Sequence, residues 1–279
     1  MRVLFLGDVV GRSGRDAIVA QLPRLRAELA LDFVVVNGEN AAAGFGITAK
    51  ICHELYAAGV DVLTGGNHSW DQREIIPYID SDPRLLRPVN FPPGTPGLGA
   101  NLYSDARGRK VAVINVLCRL FMDALDDPFA ALERELQRFR LKHEADFVLV
   151  DIHGEATSEK QSLGLLADGR ASLAVGTHSH VPSADYRIMA GGTAYQSDAG
   201  MCGDYDSVIG MKKETALLRF RRKIPGERLA PAEGEATICG LFVESDDATG
   251  LARHVAPLRL GGKLASAWPI DQAFKAVAE

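Results

Sequence analysis

The chain has 279 residues, 47% hydrophobic, 24% charged and 7% aromatic, the make-up of an ordinary globular protein rather than a disordered or fibrous one. A formal net charge of -5 gives no overall basic footprint, so neither extended nucleic acid nor an anionic membrane is the expected partner. No apolar run approaches the roughly 20 residues of a membrane span and the start lacks a signal-peptide pattern, so a cytoplasmic location is expected. Cys52, Cys118, Cys202 and Cys239 are scattered without a C-x-x-C pair, which argues for reduced thiols rather than a zinc ribbon or a disulfide framework.

The first 65 residues alternate: an apolar run at 3–6, a helical pattern at about 15–31, a run at 33–36, a helical pattern at 48–58 and a run at 60–63. This is the sequence form of βαβαβ and a parallel sheet. Thr48 is the expected N-cap of the second helix and Gly59 its stop. Residues 80–99 carry five prolines and three glycines and read as a wrapping loop rather than a linker.

Regular patterning resumes with a strand at 110–116, a helix opened by Asp127-Pro128 and running to about 142, a strand at 147–152, a short helix near 158–168 and a strand at 173–177. Residues 186–189 and 193–196 read as a hairpin, and 236–245 with 251–259 as another strand pair. The expectation is a single α/β domain over 1–279, with a mixed sheet or two stacked sheets flanked by helices.

Polar residues able to bind a metal follow successive strands, where ligands gather in open α/β sheets. Asp8 follows the first, Glu39 and Asn40 the second, and Asn67 and His68 the third. His153 follows the strand at 147–152, and His178 and His180 the one at 173–177. Carboxylate, amide oxygen and imidazole together suit Fe, Mn or Zn better than Ca or Mg. Two metals about 3.5–4 Å apart, sharing a carboxylate, would use all of these groups, the usual arrangement for in-line displacement at phosphorus. His53, His143 and His254 fall inside or beside elements and read as structural. Gly7-Asp8-Val9-Val10-Gly11-Arg12-Ser13-Gly14 is neither a dinucleotide fingerprint nor a Walker A loop. Its glycines are expected to allow a tight turn that brings Asp8 forward.

Gly7-Asp8, Gly38-Glu39-Asn40, Gly66-Asn67-His68, His153-Gly154-Glu155 and Thr177-His178-Ser179-His180-Val181 together resemble the calcineurin-like metallophosphoesterases, and most closely their YmdB-like branch. The resemblance runs from residue 1 to about 211 and takes in Ser197 to Gly203 and Ser207 to Met211. It implies a four-layer α/β/β/α sandwich and a dinuclear site, with iron first and manganese next. It also implies a metal-dependent phosphodiesterase that acts on small-molecule 2',3'-cyclic nucleotides alongside other phosphodiesters. The oligomeric state is left open, a homo-oligomer included. By position, Asp8, Glu39, Asn40 and His180 would hold the first metal, with Glu39 bridging and Asn67, His153 and His178 completing the second. The broad superfamily's D-x-H reads Asp8-Val9-Val10 here and its bridging acid is Glu39, two departures that the YmdB-like branch shares.

His68 would lie beside the metals without necessarily binding them and is the candidate general acid, its ordinary pKa of about 6.5 suiting protonation of a leaving alkoxide. Two rivals stand beside this reading. A metal-dependent amidohydrolase would carry its H-x-H after the first strand, whereas His178-Ser179-His180 comes late. A regulatory protein that binds cyclic nucleotide or phosphate, with slow or incidental turnover, would keep the same pocket.

Overall fold

The computed structural model describes residues 1–223 and 226–270. The opening alternation forms β1 (Arg2–Leu6), β2 (Asp8–Val9), α1 (Gly11–Glu28), β3 (Phe33–Asn37), α2 (Ala49–Ala57), β4 (Val62–Thr64), α3 (Ile75–Ile79) and β5 (Leu85–Leu86). A second run gives β6 (Ala100–Ser104), β7 (Lys110–Leu117), α4 (Pro128–Arg138), β8 (Phe147–His153), α5 (Thr157–Ala167), β9 (Leu173–Thr177), β10 (Arg187–Ile188) and β11 (Ala194–Gln196). The chain then adds β12 (Met201–Asp204), α6 (Lys213–Arg222), β13 (Ala236–Ser245) and β14 (Ala252–Leu260).

One sheet has the order β2-β12-β13-β1-β3-β4-β5, with β14 also on β13, and the other runs β10-β11-β9-β8-β7-β6. Period-two side-chain alternation decides how they stack. Leu4, Leu6, Val34 and Val36 pack with α1 and α2 residues such as Ile18, Leu22 and Leu55. Their alternates Val3, Phe5, Phe33 and Val35 meet Val111, Val113, Phe147 and Leu149 of the other sheet. Val148, Val150 and Ile152 turn to Leu132, Leu136 and Leu163 of α4 and α5. Three apolar layers therefore separate helices, sheet, sheet and helices, the α/β/β/α sandwich expected.

Thr48 caps α2 by accepting from the Ile51 amide, and Asp127 caps α4 by accepting from Phe129. The first helix starts at Gly11 rather than near 15, and Gly11 turns the chain into it with a φ of +63° that a side chain disfavours. Gly11 thus supplies the expected turn, but Gly7 and Gly14 serve contact instead. A Cβ would lie 1.9 Å from the Gly200 carbonyl oxygen at Gly7, and 2.0 Å from that of Cys202 at Gly14. The strands β6 and β12 and the helix α6 fall where no regular pattern was expected. No described helix is long and apolar enough to cross a membrane.

Candidate metal centre

The C-terminal ends of β1, β3 and β4 in one sheet, and of β8 and β9 in the other, meet at one place. Glu39, His153 and His178 offer ligand atoms within 4.8 Å of one another, and so do Asp8, Glu39 and His180, so Glu39 belongs to both groups. Asp8, Glu39, His153 and His180 are buried and His178 is half-buried. Around the Nε2 atom of His153 stand Glu39 Oε1 at 3.2 Å, Asn67 Oδ1 at 2.9 Å and His178 Nδ1 at 3.2 Å. Asn40 lies against both Glu39 (3.0 Å) and His180 Nε2 (3.2 Å).

Each histidine's other nitrogen is already held. His153 Nδ1 is 2.9 Å from Thr177 Oγ1, which donates its own proton to Asp151 Oδ1 at 2.7 Å. His180 Nδ1 is 2.8 Å from the Ile209 carbonyl, and His178 Nε2 is 3.2 Å from Glu155 Oε2. These contacts orient His153 Nε2, His180 Nε2 and His178 Nδ1 as lone-pair donors, as outer partners of metal-ligating imidazoles do. His178 and His180 both have positive φ, 97° and 64°, a strained backbone of the kind that clusters at functional sites.

This set fits cations. Buried polar atoms are ordinarily hydrogen-bonded, yet Asp8 Oδ1 and Asn40 Oδ1 are buried without a partner. Acceptors of carboxylate, amide and imidazole type converge near His153 with too few protons among them. A side chain at Gly66 would fill the space, since a Cβ there would lie 2.0 Å from Glu39 Oε2 and 2.5 Å from His153 Nε2.

Without a cation, protons and ion pairs neutralise the site. Burial pushes the Asp8 carboxyl up to about 6 against the pull of His180 and His153. Burial opposes ionisation of Glu39 as well, but the charge of His153 and its hydrogen bond win and hold it at about 2. His153, for which burial favours the neutral ring, is raised to about 9 by Glu39. Burial and the neighbouring His153 charge lower His178 to about 3.

His68 stands at the rim. Its backbone amide is 3.4 Å from Glu39 Oε2, its ring packs edge-on against Phe45 with centroids 5.2 Å apart, and its Nδ1 is 2.9 Å from Asp71 Oδ2. Nε2 is therefore the nitrogen available for proton transfer. All eight groups picked from the strand ends are brought together, whereas His53, His143 and His254 lie elsewhere, on α2, after α4 and on β14.

Sequence reasoning missed the supports. Asp71 sits three residues beyond His68 and was not singled out. Asp151, inside an apolar strand, accepts from Thr64, Asn37 and Thr177 at 2.6, 3.1 and 2.7 Å. Its place in the run Phe147-Val148-Leu149-Val150-Asp151-Ile152 was the available signal, because a charged group in a buried strand needs partners. Lys160 is only 1% exposed and donates to the Thr177 carbonyl and to Asp198 Oδ2, both at 2.9 Å. Asp198 in turn accepts from the amides of Ser179 and Gly200, so this pair fixes the strained loop that carries His178 and His180.

A four-layer sandwich with mixed carboxylate, amide and imidazole donors where its two sheets meet has the architecture of the metallophosphoesterases. A family model for YmdB-like proteins matches residues 4–258, and the chain belongs to that family. It is 47% identical over 249 residues to the 2',3'-cyclic-nucleotide 2'-phosphodiesterase of Bacillus subtilis strain 168, covering 89% of this chain and 93% of that one. Among solved structures, a protein from Thermus thermophilus superposes with a TM-score of 0.87 at 41% identity, covering 94% of this chain and all 100% of that one. A phosphatase from Mycoplasma pneumoniae superposes with a TM-score of 0.85 at 32% identity, covering 94% and 93%.

Proposed function

We propose that the protein is a metal-dependent phosphodiesterase that hydrolyses 2',3'-cyclic nucleotides at the 2' bond and leaves the 3'-phosphate. The observation that carries this reading is the excess of converging acceptor atoms shared through Glu39, with the His68–Asp71 pair at its rim. Asp8, Glu39, Asn40 and His180 would hold one cation, and Glu39, Asn67, His153 and His178 a second. Bound there, two divalent cations supply an activated water and neutralise charge on the phosphoryl oxygens. Iron is the proposed metal and manganese the alternative, in keeping with nitrogen and oxygen donors and no thiolate.

The chain's own part is positioning and proton transfer. Asp71 fixes the His68 ring through Nδ1, so that Nε2 delivers a proton to the departing 2'-oxygen as the phosphorus–oxygen bond breaks. Asn40 and Asn67 supply oxygen donors without adding negative charge, so a monoanionic diester is not repelled. Both sheets contribute to this one site, which supports a single domain. The four cysteines are free and buried, in keeping with a reducing compartment such as the cytoplasm.

The test is turnover of 2',3'-cyclic AMP by protein of known metal content, with identification of the released isomer. Wild type is expected to carry about two metals per chain and to release the 3'-phosphate. Glu39→Ala is expected to lose metal. His68→Ala is expected to keep its metal but to lose about 10²–10⁴ in kcat. A wild-type protein that binds no metal, or an active Glu39→Ala, would overturn the proposal.

A further inference from the structure

Beside the metal centre the structure holds a cavity of about 1400 Å³, whose wall includes His68 and Phe45 on one side and Ile209, Arg219, Phe220 and Arg222 on the other. A small-molecule pocket spans about 300–1,000 Å³, so this one has room for more than a mononucleotide. Its far wall is α6, a helix with Ala216 as its one buried residue and Phe220 74% exposed. Poorly packed apolar and aromatic groups on a ten-residue helix mark a surface that another molecule covers.

Charge says which molecule. Residues 212–228 hold seven Lys or Arg against two acidic residues, in a chain of net charge -5. Lys212 and Lys213 pair with Glu233 and Asp206, while Arg219, Arg221 and Arg222 form no ion pair among the described residues. The cavity wall itself carries four Lys or Arg against three acidic residues, and cations interleaved with aromatic rings such as Phe45 and Phe220 are what single-stranded nucleic acid takes, phosphates on the cations and bases on the rings. The overall acidity that disfavours long duplex does not oppose a short strand held at one local patch.

Geometry sets the strand's direction. Both ester oxygens of a 2',3'-cyclic phosphate belong to one ribose, so when His68 protonates the leaving 2'-oxygen, that ribose and everything on its 5' side lie on the His68 side of the phosphorus. The cavity has His68 in its wall and α6 across from it. Building on the proposed function, we infer that the substrate is a short RNA strand ending in a 2',3'-cyclic phosphate, with its upstream nucleotides along α6. Water adds at phosphorus, the phosphorus–O2' bond breaks and O2' takes a proton, so the strand gains one water and ends in a 3'-phosphate. The reaction that supplies such ends is RNA cleavage by attack of a 2'-hydroxyl on its own 3' phosphodiester.

The test compares kcat/KM for 2',3'-cyclic AMP with that for di- and triadenylates bearing the same cyclic end, using wild type and the Arg219→Glu/Arg222→Glu and Phe220→Ala variants. Each stacked base is expected to raise kcat/KM about tenfold, and the gain should shrink as salt is raised from about 50 to 200 mM. In both variants the ratio of oligonucleotide to mononucleotide kcat/KM should fall towards one, a ratio insensitive to how much variant is active. Equal values for mono- and oligonucleotides in wild type overturn the inference while leaving the proposed function standing. A length effect that survives both variants also overturns it. If Phe220→Ala instead converts an oligomer to monomer, by sedimentation, with the ratio unchanged, α6 is a contact between copies and the inference falls. Failure to hydrolyse any of the substrates refutes the proposed function itself.

Discussion

His68 depends on a neighbour that has no contact with the proposed metals. Asp71 accepts at Nδ1, fixing the ring's orientation and leaving Nε2 as the nitrogen that carries the mobile proton. Asp71→Asn keeps the size of the side chain and removes the charge. It is expected to lower kcat about 10–100-fold, the usual cost of losing an outer partner, with unchanged metal content and a smaller change in KM. A poor leaving group should feel the loss more than a good one such as p-nitrophenolate, which needs little proton donation. If both esters slow equally, or metal is lost, Asp71 holds the loop and does not serve His68.

At the scale of elements, the centre exists because glycines let backbone segments touch. Helix α1 approaches β12 so closely that a Cβ at Gly14 would sit 2.0 Å from the Cys202 oxygen, and β12 is the parallel partner of β2, which carries Asp8. Gly14→Ala is therefore expected to destabilise the fold by about 1–3 kcal/mol through overpacking. Urea unfolding would measure it, and an unchanged midpoint would show that α1 slides without cost. The same elements explain what was legible beforehand. Strands β1, β3, β8 and β9 announce themselves because both faces are buried, giving largely apolar runs, and a polar residue of the centre lies at the end of each or within two residues beyond it. Strand β12, Met201–Asp204, has no such run, since its pairing with β2 and β13 comes from tertiary contact. Helix α6 shows no apolar stripe because little of it is buried. Nothing in the sequence marks Lys160, since only the fold brings Asp198 to it, 38 residues away.

For the molecule as a whole, the centre lies between two sheets whose acid and base groups oppose each other, so proton binding and metal binding both register as stability. In the metal-free protein His153 is raised to about 9 by Glu39. Its contribution is fully present below its ordinary pKa of about 6.5 and is lost as pH rises through 9. Asp8, raised to about 6 chiefly by burial, contributes below its ordinary value and loses that as pH passes 6. Glu39, held at about 2 against burial by His153, stays ionised throughout this range and adds no slope of its own. Above pH 6 the Asp8 slope is largely spent and the His153 slope alone runs downward to pH 9, so the metal-free protein is expected to melt at a lower temperature at pH 9 than at pH 6. Manganese competes with the His153 proton, so its affinity should rise across the same interval. At a manganese concentration about a hundredfold above the Kd at pH 6, the gain in Tm there should reach about 5–10 °C, and at the same concentration it should be larger at pH 9. Scanning calorimetry with chelator and with Mn²⁺ at the two pH values would decide it. A metal-free Tm that rises with pH, or a manganese gain that is the same at both, would mean that His153 is not where cation and proton exchange.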